Sequence, residues 1–220
     1  MGGMFHEKGP TLWELARQAL SSTDRGYDLL APKFEYTPFR TPDPVLEGAA
    51  AIAAEEGPVR RGVDLCCGTG AGLRVFRPLC EKAIVGVDRS AGMLAEAERQ
   101  LAEGSGGAVL RLCRGDALAL PFADGSFELA TCFGAFGHIR EEDEPRVVDE
   151  VRRILAPGGR FVFVTSTLPS PWSPGLWMAR AFNAAMRVRN ALLKPEFVMY
   201  YLTFLLPGAT WLLESRSEER

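Results

Sequence analysis

Residues Val63-Asp64-Leu65-Cys66-Cys67-Gly68-Thr69-Gly70-Ala71-Gly72 read as an apolar strand that breaks into a tight glycine turn and then opens a helix. That succession constrains the fold more than any other stretch of the chain. Glycines let the backbone come close to a ligand, and the unpaired amides at the helix start point toward it. An acidic residue, Asp64, stands ahead of the glycines, and a second, Asp88, closes the next apolar run in Gly86-Val87-Asp88.

The same alternation of apolar runs and helical spacing continues downstream. Strands are expected near 62–66, 83–88, 109–113, 127–133 and 160–166, with helices near 71–81, 91–103 and 142–155. Strands that alternate with helices predict a parallel sheet with right-handed crossovers, a doubly wound α/β core with helices on both faces. The third helix opens on Glu141, Glu142, Asp143 and Glu144, which suit the positive end of a helix dipole. It turns Val147, Val148, Val151, Ile154 and Leu155 inward and stops at Pro157-Gly158-Gly159. With 220 residues at 47% hydrophobic, the chain can bury one core of this kind. Ahead of it, Leu12, Leu15, Ala16, Ala19 and Leu20 recur at helical spacing, and prolines 32, 38, 42 and 44 predict an extended run from Ala31 to Pro44. The expected organisation is an N-terminal helical and extended cap over 1–58, the α/β core over 59–167, and a helical C-terminal cap over 168–220.

Composition removes several classes of function. A net charge of −3 argues against a nucleic-acid binder, which concentrates basic charge. Five cysteines, with no Cys-x-x-Cys spacing, suggest neither a disulfide framework nor a metal site and fit a reducing cytoplasm. The run Met1 to His6 has no signal-peptide character, and His6 stands where a myristoylation motif needs Ser or Thr, so no targeting segment is expected.

A dinucleotide fingerprint would need a third glycine, but Gly68-Thr69-Gly70 is followed by Ala71-Gly72 and then Leu73 in its place. With Asp64 upstream and Asp88 ending the second strand, the segment resembles motif I of the class I S-adenosylmethionine-dependent methyltransferases. Gly86 to Leu94, Arg114 to Phe122, Phe127 to Ala130 and Arg152 to Arg160 follow in the order of that family. The resemblance covers roughly residues 60–167 and is nearest to the branch of quinone and other small-molecule methyltransferases. It implies a Rossmann-like fold, S-adenosylmethionine as cofactor, no metal, and a small, lipophilic or aromatic acceptor. A non-catalytic cofactor-binding or assembly protein is the alternative.

The resemblance also assigns residues. Gly68 and Gly70 would leave room for the methionine part of the cofactor, and Asp64 would meet its ammonium or anchor the loop. Cys66 replaces the family's first glycine. Asp88 would accept both ribose hydroxyls, with Arg89 beside it, and Met93 would pack on the adenine. Asp116 would take the adenine amino group, with the amide of Ala117 on a ring nitrogen. Carbonyls near Cys132 and Phe133 would hold the ammonium. His138 is a candidate base, because imidazole titrates in the useful range. Tyr27, Phe39, Phe136 and Trp177 are candidates for the acceptor site, and Arg40, beside Phe39, reads as a surface arginine, with the cofactor's carboxylate as its alternative partner.

Beyond the core the composition changes. From Leu168 to Leu213 the charged residues are Arg180, Arg187, Arg189, Lys194 and Glu196, a net +3 against −6 for the remainder. This region is expected to cap a hydrophobic pocket, with weak contact of 172–206 with a membrane surface as the sharper alternative. Phe197 to Leu206 is expected to be helical. The family's last two strands are not seen in the sequence, which predicts a five-stranded sheet whose fifth strand is an edge for a second copy to cover.

Overall fold

The computed structural model describes residues 6–102 and 107–217; the readings of Met1 to Phe5 and of residue 103 lie outside the described residues. Five parallel strands, β1 (Val59–Leu65), β2 (Cys80–Asp88), β3 (Val109–Arg114), β4 (Phe127–Cys132) and β5 (Leu155–Phe163), form one sheet in the order β3-β2-β1-β4-β5. Chain direction across the sheet reverses between β1 and β4. The carboxyl ends beside that reversal form the crevice where doubly wound sheets bind ligands. Asp64, Asp88 and Thr131 all lie at those ends, because Asp64 pairs with Gly86 on one side and with Thr131 on the other.

Eight α-helices surround the sheet among the described residues: α1 (Leu12–Ala19), α2 (Thr23–Leu30), α3 (Asp43–Glu55), α4 (Ala71–Phe76), α5 (Ala91–Leu101), α6 (Glu144–Ile154), α7 (Pro174–Leu192) and α8 (Leu206–Ser217). Val63, Leu65, Val87, Ala130, Val147, Val148, Val151 and Ile154 fill one side of the sheet. Phe76, Leu73, Ile84, Leu129 and Ala53 fill the other.

Several boundaries differ from the sequence reading. The helix expected over 71–81 ends at Phe76 and tightens into a 3-10 turn over Arg77–Leu79, because Pro78 lacks an amide for the ladder. The helix expected from 142 begins at Glu144, with Pro145 in its first turn, and runs into β5 at Leu155. Ala31–Tyr36 is a 3-10 helix, not an extended run, since Pro32 fits its first turn. Helix α3 was not anticipated, although Leu46, Ala50 and Ala53 share its buried face. Phe197 to Leu205 is an irregular strap, neither helix nor strand. Its backbone is held by side chains: Asn190 bonds to both the N–H and the C=O of Phe197 (3.1 Å each), and Asn183 does the same for Tyr201. Phe204 of the strap stacks on Phe136 with ring centroids 3.7 Å apart.

The N-terminal helices lie over the crevice and are fastened to it by polar contacts. Asp28 of α2 accepts from the Ser90 hydroxyl (2.6 Å) and the Gly92 amide (2.9 Å) at the start of α5. No strand among the described residues pairs with the outer edge of β5; the strap meets the chain beyond it, where Thr165 donates to the Phe204 carbonyl at 2.7 Å.

Candidate functional site

The turn after β1 is built for close backbone approach. Gly68 and Gly70 have φ of +53° and +91°, and Cys66, in the family's first glycine position, has φ of +52°. A side chain in that left-handed region costs on the order of 1–2 kcal/mol. A hydrogen bond with the Cys132 thiol, and then burial, push the Cys66 thiol up, and burial does the same to Cys67. Neither thiol is poised as a nucleophile.

Asp64 is buried at the end of β1. Its Oδ1 accepts from the Thr131 hydroxyl at 2.6 Å, whereas its Oδ2 has no hydrogen-bond partner among the described residues. Burial, reinforced by the charge of Asp88, lifts its carboxyl to about 7 against the Thr131 bond. Gly72 explains itself here, since a Cβ at that position would lie 2.5 Å from Asp64 Oδ2. Asp88 is oriented by the backbone: Gly68 N–H donates to Oδ2 (2.9 Å) and Ser90 N–H to Oδ1 (2.8 Å). Each oxygen keeps a second lone pair for a ligand hydroxyl. Burial raises the Asp88 carboxyl above its ordinary value, and the amides of Ser90 and Gly68 oppose it. Asp116 holds its own turn through Leu118 N–H (3.0 Å) and lies 3.6 Å from Arg89.

These groups face one cavity of about 400 Å³, within the range of small-molecule sites. Its wall contains Asp64, Cys66, Gly68, Asp88, Arg89, Met93, Asp116, Ala117 and Phe133, and also Tyr27, Phe39 and His138. Four residues singled out in the sequence stand outside it. Gly70 faces α5, where a Cβ would meet Leu101 at 2.7 Å. Cys132 and Phe136 are buried in the sheet core. Trp177 is on the outer face of α7, 58% exposed. The C-terminal cap therefore does not close the cavity with α7; Val198 of the strap lines it instead.

Two features of the wall had no sequence signal. Thr69, buried in the turn, donates to Glu35 Oε1 at 2.5 Å, and Glu35 lies 3.4 Å from Arg40, which is paired with Asp43 at 2.7 Å. Arg40, read as a surface arginine, lines the cavity. The second feature is a side-chain pair joining residues 111 positions apart. The Tyr27 hydroxyl lies 2.7 Å from His138 Nε2, and His138 Nδ1 lies 2.9 Å from the Val198 carbonyl. A carbonyl only accepts, so Nδ1 carries the proton of the neutral ring and Nε2 accepts from the phenol. Burial lowers the His138 imidazolium below its ordinary range and holds the Tyr27 phenol well above its own.

The fold and the switch-point cavity, with Asp64, Asp88 and Asp116 among its carboxylates, place the chain in the class of doubly wound α/β proteins with a ligand crevice at the strand ends. The sequence profile of a methyltransferase domain matches residues 63–159. A demethylmenaquinone methyltransferase of Thermus thermophilus is 36% identical over 153 residues, 69% of this chain and 67% of that protein. A 2-phytyl-1,4-naphtoquinone methyltransferase of Synechococcus elongatus is 34% identical over 119 residues, 53% of this chain and 49% of that one. Among solved structures, an S-adenosylmethionine-dependent methyltransferase from Clostridium acetobutylicum superposes with a TM-score of 0.50 at 27% identity, covering 57% of this chain and 52% of that chain. The chain belongs to the class I S-adenosylmethionine-dependent methyltransferases, and its cofactor is S-adenosylmethionine. It spans about half the length of several of the curated relatives it matches.

Proposed function

We propose that the protein transfers a methyl group from S-adenosylmethionine to a small lipophilic or aromatic acceptor carrying an acidic hydroxyl, of the quinol type. The observation that carries this reading is the joining, in one cavity, of the orphaned Asp64 Oδ2 and the backbone-held Asp88 to an aromatic chamber of Tyr27, Phe34 and Phe39. The names of the two quinone-methylating relatives support the acceptor class.

The residues present fit the cofactor. Asp64 Oδ2 would receive the ammonium, which removes the cost of an unpaired buried carboxylate oxygen. Asp88 would accept the ribose hydroxyls on the lone pairs its two amide donors leave free. Met93 and Ala117 would meet the adenine, with Asp116 at its amino group. When bound, the cofactor supplies a methyl group already activated on a sulfonium, so the protein's work is positioning and proton management.

Proton management falls to the pair opposite. Tyr27 accepts the acceptor's hydroxyl proton while passing its own to His138 Nε2. The acceptor becomes an anionic nucleophile and the imidazole an imidazolium, which the Val198 carbonyl steadies at Nδ1–H. A lone tyrosinate is too costly in this buried place, and a neutral histidine with a bare Nε2 is the base that avoids it. The five free cysteines fit a reducing cytoplasm as the place of action.

Incubation with methyl-labelled S-adenosylmethionine and a panel of quinols, phenols and lipids tests the reading. Label transferred to a quinol or phenol supports it. Cofactor binding without transfer to any acceptor overturns it in favour of a non-catalytic cofactor-binding protein.

A further inference from the structure

Helix α7 is built inside out. Its inward face, Leu176, Ala179, Asn183, Met186 and Asn190, holds two asparagines, because the irregular strap needs side-chain partners for its backbone. Its outward face, Trp177, Ala181, Ala184, Val188 and Leu192 at helical spacing, has no polar side chain. Leu192 is 76% exposed and Trp172, in the turn leading into the helix, 91%. A surface helix normally shows the reverse pattern. Helix α1 repeats the anomaly: Gln18 is buried while Leu12, Trp13 and Leu20 are exposed. The Arg189 guanidinium of α7 donates to the carbonyls of Ala19 (3.0 Å) and Ser21 (2.9 Å), bringing Leu20 to the last turn of α7.

The charge around this apolar strip selects its occupant. Arg180 lies 5.1 Å over the Trp177 ring and Arg187 lies 5.8 Å over the Tyr200 ring, both on the flank of the strip, and Lys194 follows the helix. The one acidic residue of the segment, Glu196, is held by Arg140 and Lys194. A second copy docked symmetrically on this face would bring arginines toward arginines with no carboxylate of the segment free to answer them. An anionic lipid surface answers every feature: acyl chains for the apolar strip, interfacial depth for Trp172 and Trp177, and phosphates for the flanking cations.

We infer that the outer face of α7, with the Trp172 turn, seats the protein on an anionic lipid bilayer as a surface-lying helix. No helix among the described residues is long and apolar enough to cross a membrane. The seat adjoins the cavity: Thr23 follows α1, Val198 follows α7, the two are hydrogen-bonded at 2.8 Å, and both line the cavity wall. A lipophilic acceptor held in the bilayer would enter there. The inference itself stands on the surface and needs no methyl transfer to be true.

Vesicle co-sedimentation of the full chain tests it, with vesicles of phosphatidylcholine and phosphatidylglycerol in equal parts against phosphatidylcholine alone. The expected result is binding to the anionic vesicles that weakens with salt, falls about tenfold or more in the double substitution Arg180→Glu, Arg187→Glu, and falls likewise in Val188→Glu, Leu192→Glu. Calorimetric titration with S-adenosylmethionine is expected to be unchanged in both variants, which shows that they fold. No binding of the wild type to anionic vesicles overturns the inference. So does a wild-type dimer in sedimentation velocity that the Val188→Glu, Leu192→Glu substitution dissolves, since a second copy would then own the face.

Discussion

Replacing Asp64 by Asn should move stability and ligand affinity in opposite directions, and the size of the first follows from the site. Burial lifts the Asp64 carboxyl from an ordinary 3.8 to about 7 in the folded protein. Folding therefore favours the protonated form, so this group's contribution to stability is complete below 3.8 and is lost as pH rises through about 7. A shift of roughly three units at about 1.4 kcal/mol each makes the loss about 4 kcal/mol in the ligand-free protein. Asn fits the same space, its carbonyl can still accept from Thr131, and its amide leaves the Oδ2 corner unpaired as the protonated acid does. The two proteins should then be equally stable to within about 1 kcal/mol in acid. Urea unfolding of ligand-free wild type and Asp64→Asn, from about pH 5 to about pH 8, should show the variant gaining by about 3 kcal/mol across the range, the rest of the loss lying below about pH 5. The same variant should weaken S-adenosylmethionine binding strongly, because with its carbonyl on Thr131 the amide turns an uncharged NH2 donor toward the ammonium in place of a carboxylate oxygen. Stability profiles that run parallel with pH would refute the reasoning, since the carboxylate would then not be buried without a partner.

Three further outcomes follow from the same geometry. Wild-type affinity for S-adenosylmethionine should fall about tenfold per unit as pH drops below about 7, because Asp64 must be ionised to receive the cation; calorimetry across that range checks it. Tyr27→Phe and His138→Gln should each lower kcat by about 100-fold or more with cofactor affinity unchanged. The wild-type kcat, at saturating S-adenosylmethionine, should fall only below the ordinary histidine range, since burial lowers the His138 imidazolium; a pH profile of kcat checks the sign. Gly72→Ala, whose Cβ would lie 2.5 Å from Asp64 Oδ2, should cost about 1–3 kcal/mol in stability and weaken cofactor binding, measurable by denaturation and titration.

The sheet was legible because each of its elements announces itself locally. Apolar runs alternate with helical spacing, and Asp64, Asp88 and Asp116 each end or follow a strand, so parallel topology alone carries them to one crevice. The glycines divided by role: Gly68 turns the chain, whereas Gly72 yields space to Asp64, a contact invisible without the fold. Pairings between distant segments were not legible. Nothing near Tyr27 in the chain points to His138, and nothing near Glu35 points to Thr69. Trp177 was misplaced for a related reason. Aromatic residues at helical spacing normally face inward, and here the strap's demand for Asn183 and Asn190 turned the helix the other way. The irregular strap itself, held by side chains and not by a ladder, carries no periodicity to read.

The most direct test of the central claim, that this cavity holds S-adenosylmethionine by its carboxylates, is calorimetric titration of wild type and Asp88→Ala with S-adenosylmethionine, and of wild type with NADH. The account expects wild type to bind S-adenosylmethionine and to prefer it to NADH, and Asp88→Ala to lose about 1.5–3 kcal/mol, the worth of hydrogen bonds to a charged group. Tighter binding of NADH, or an affinity for S-adenosylmethionine that Asp88→Ala leaves unchanged, would contradict it.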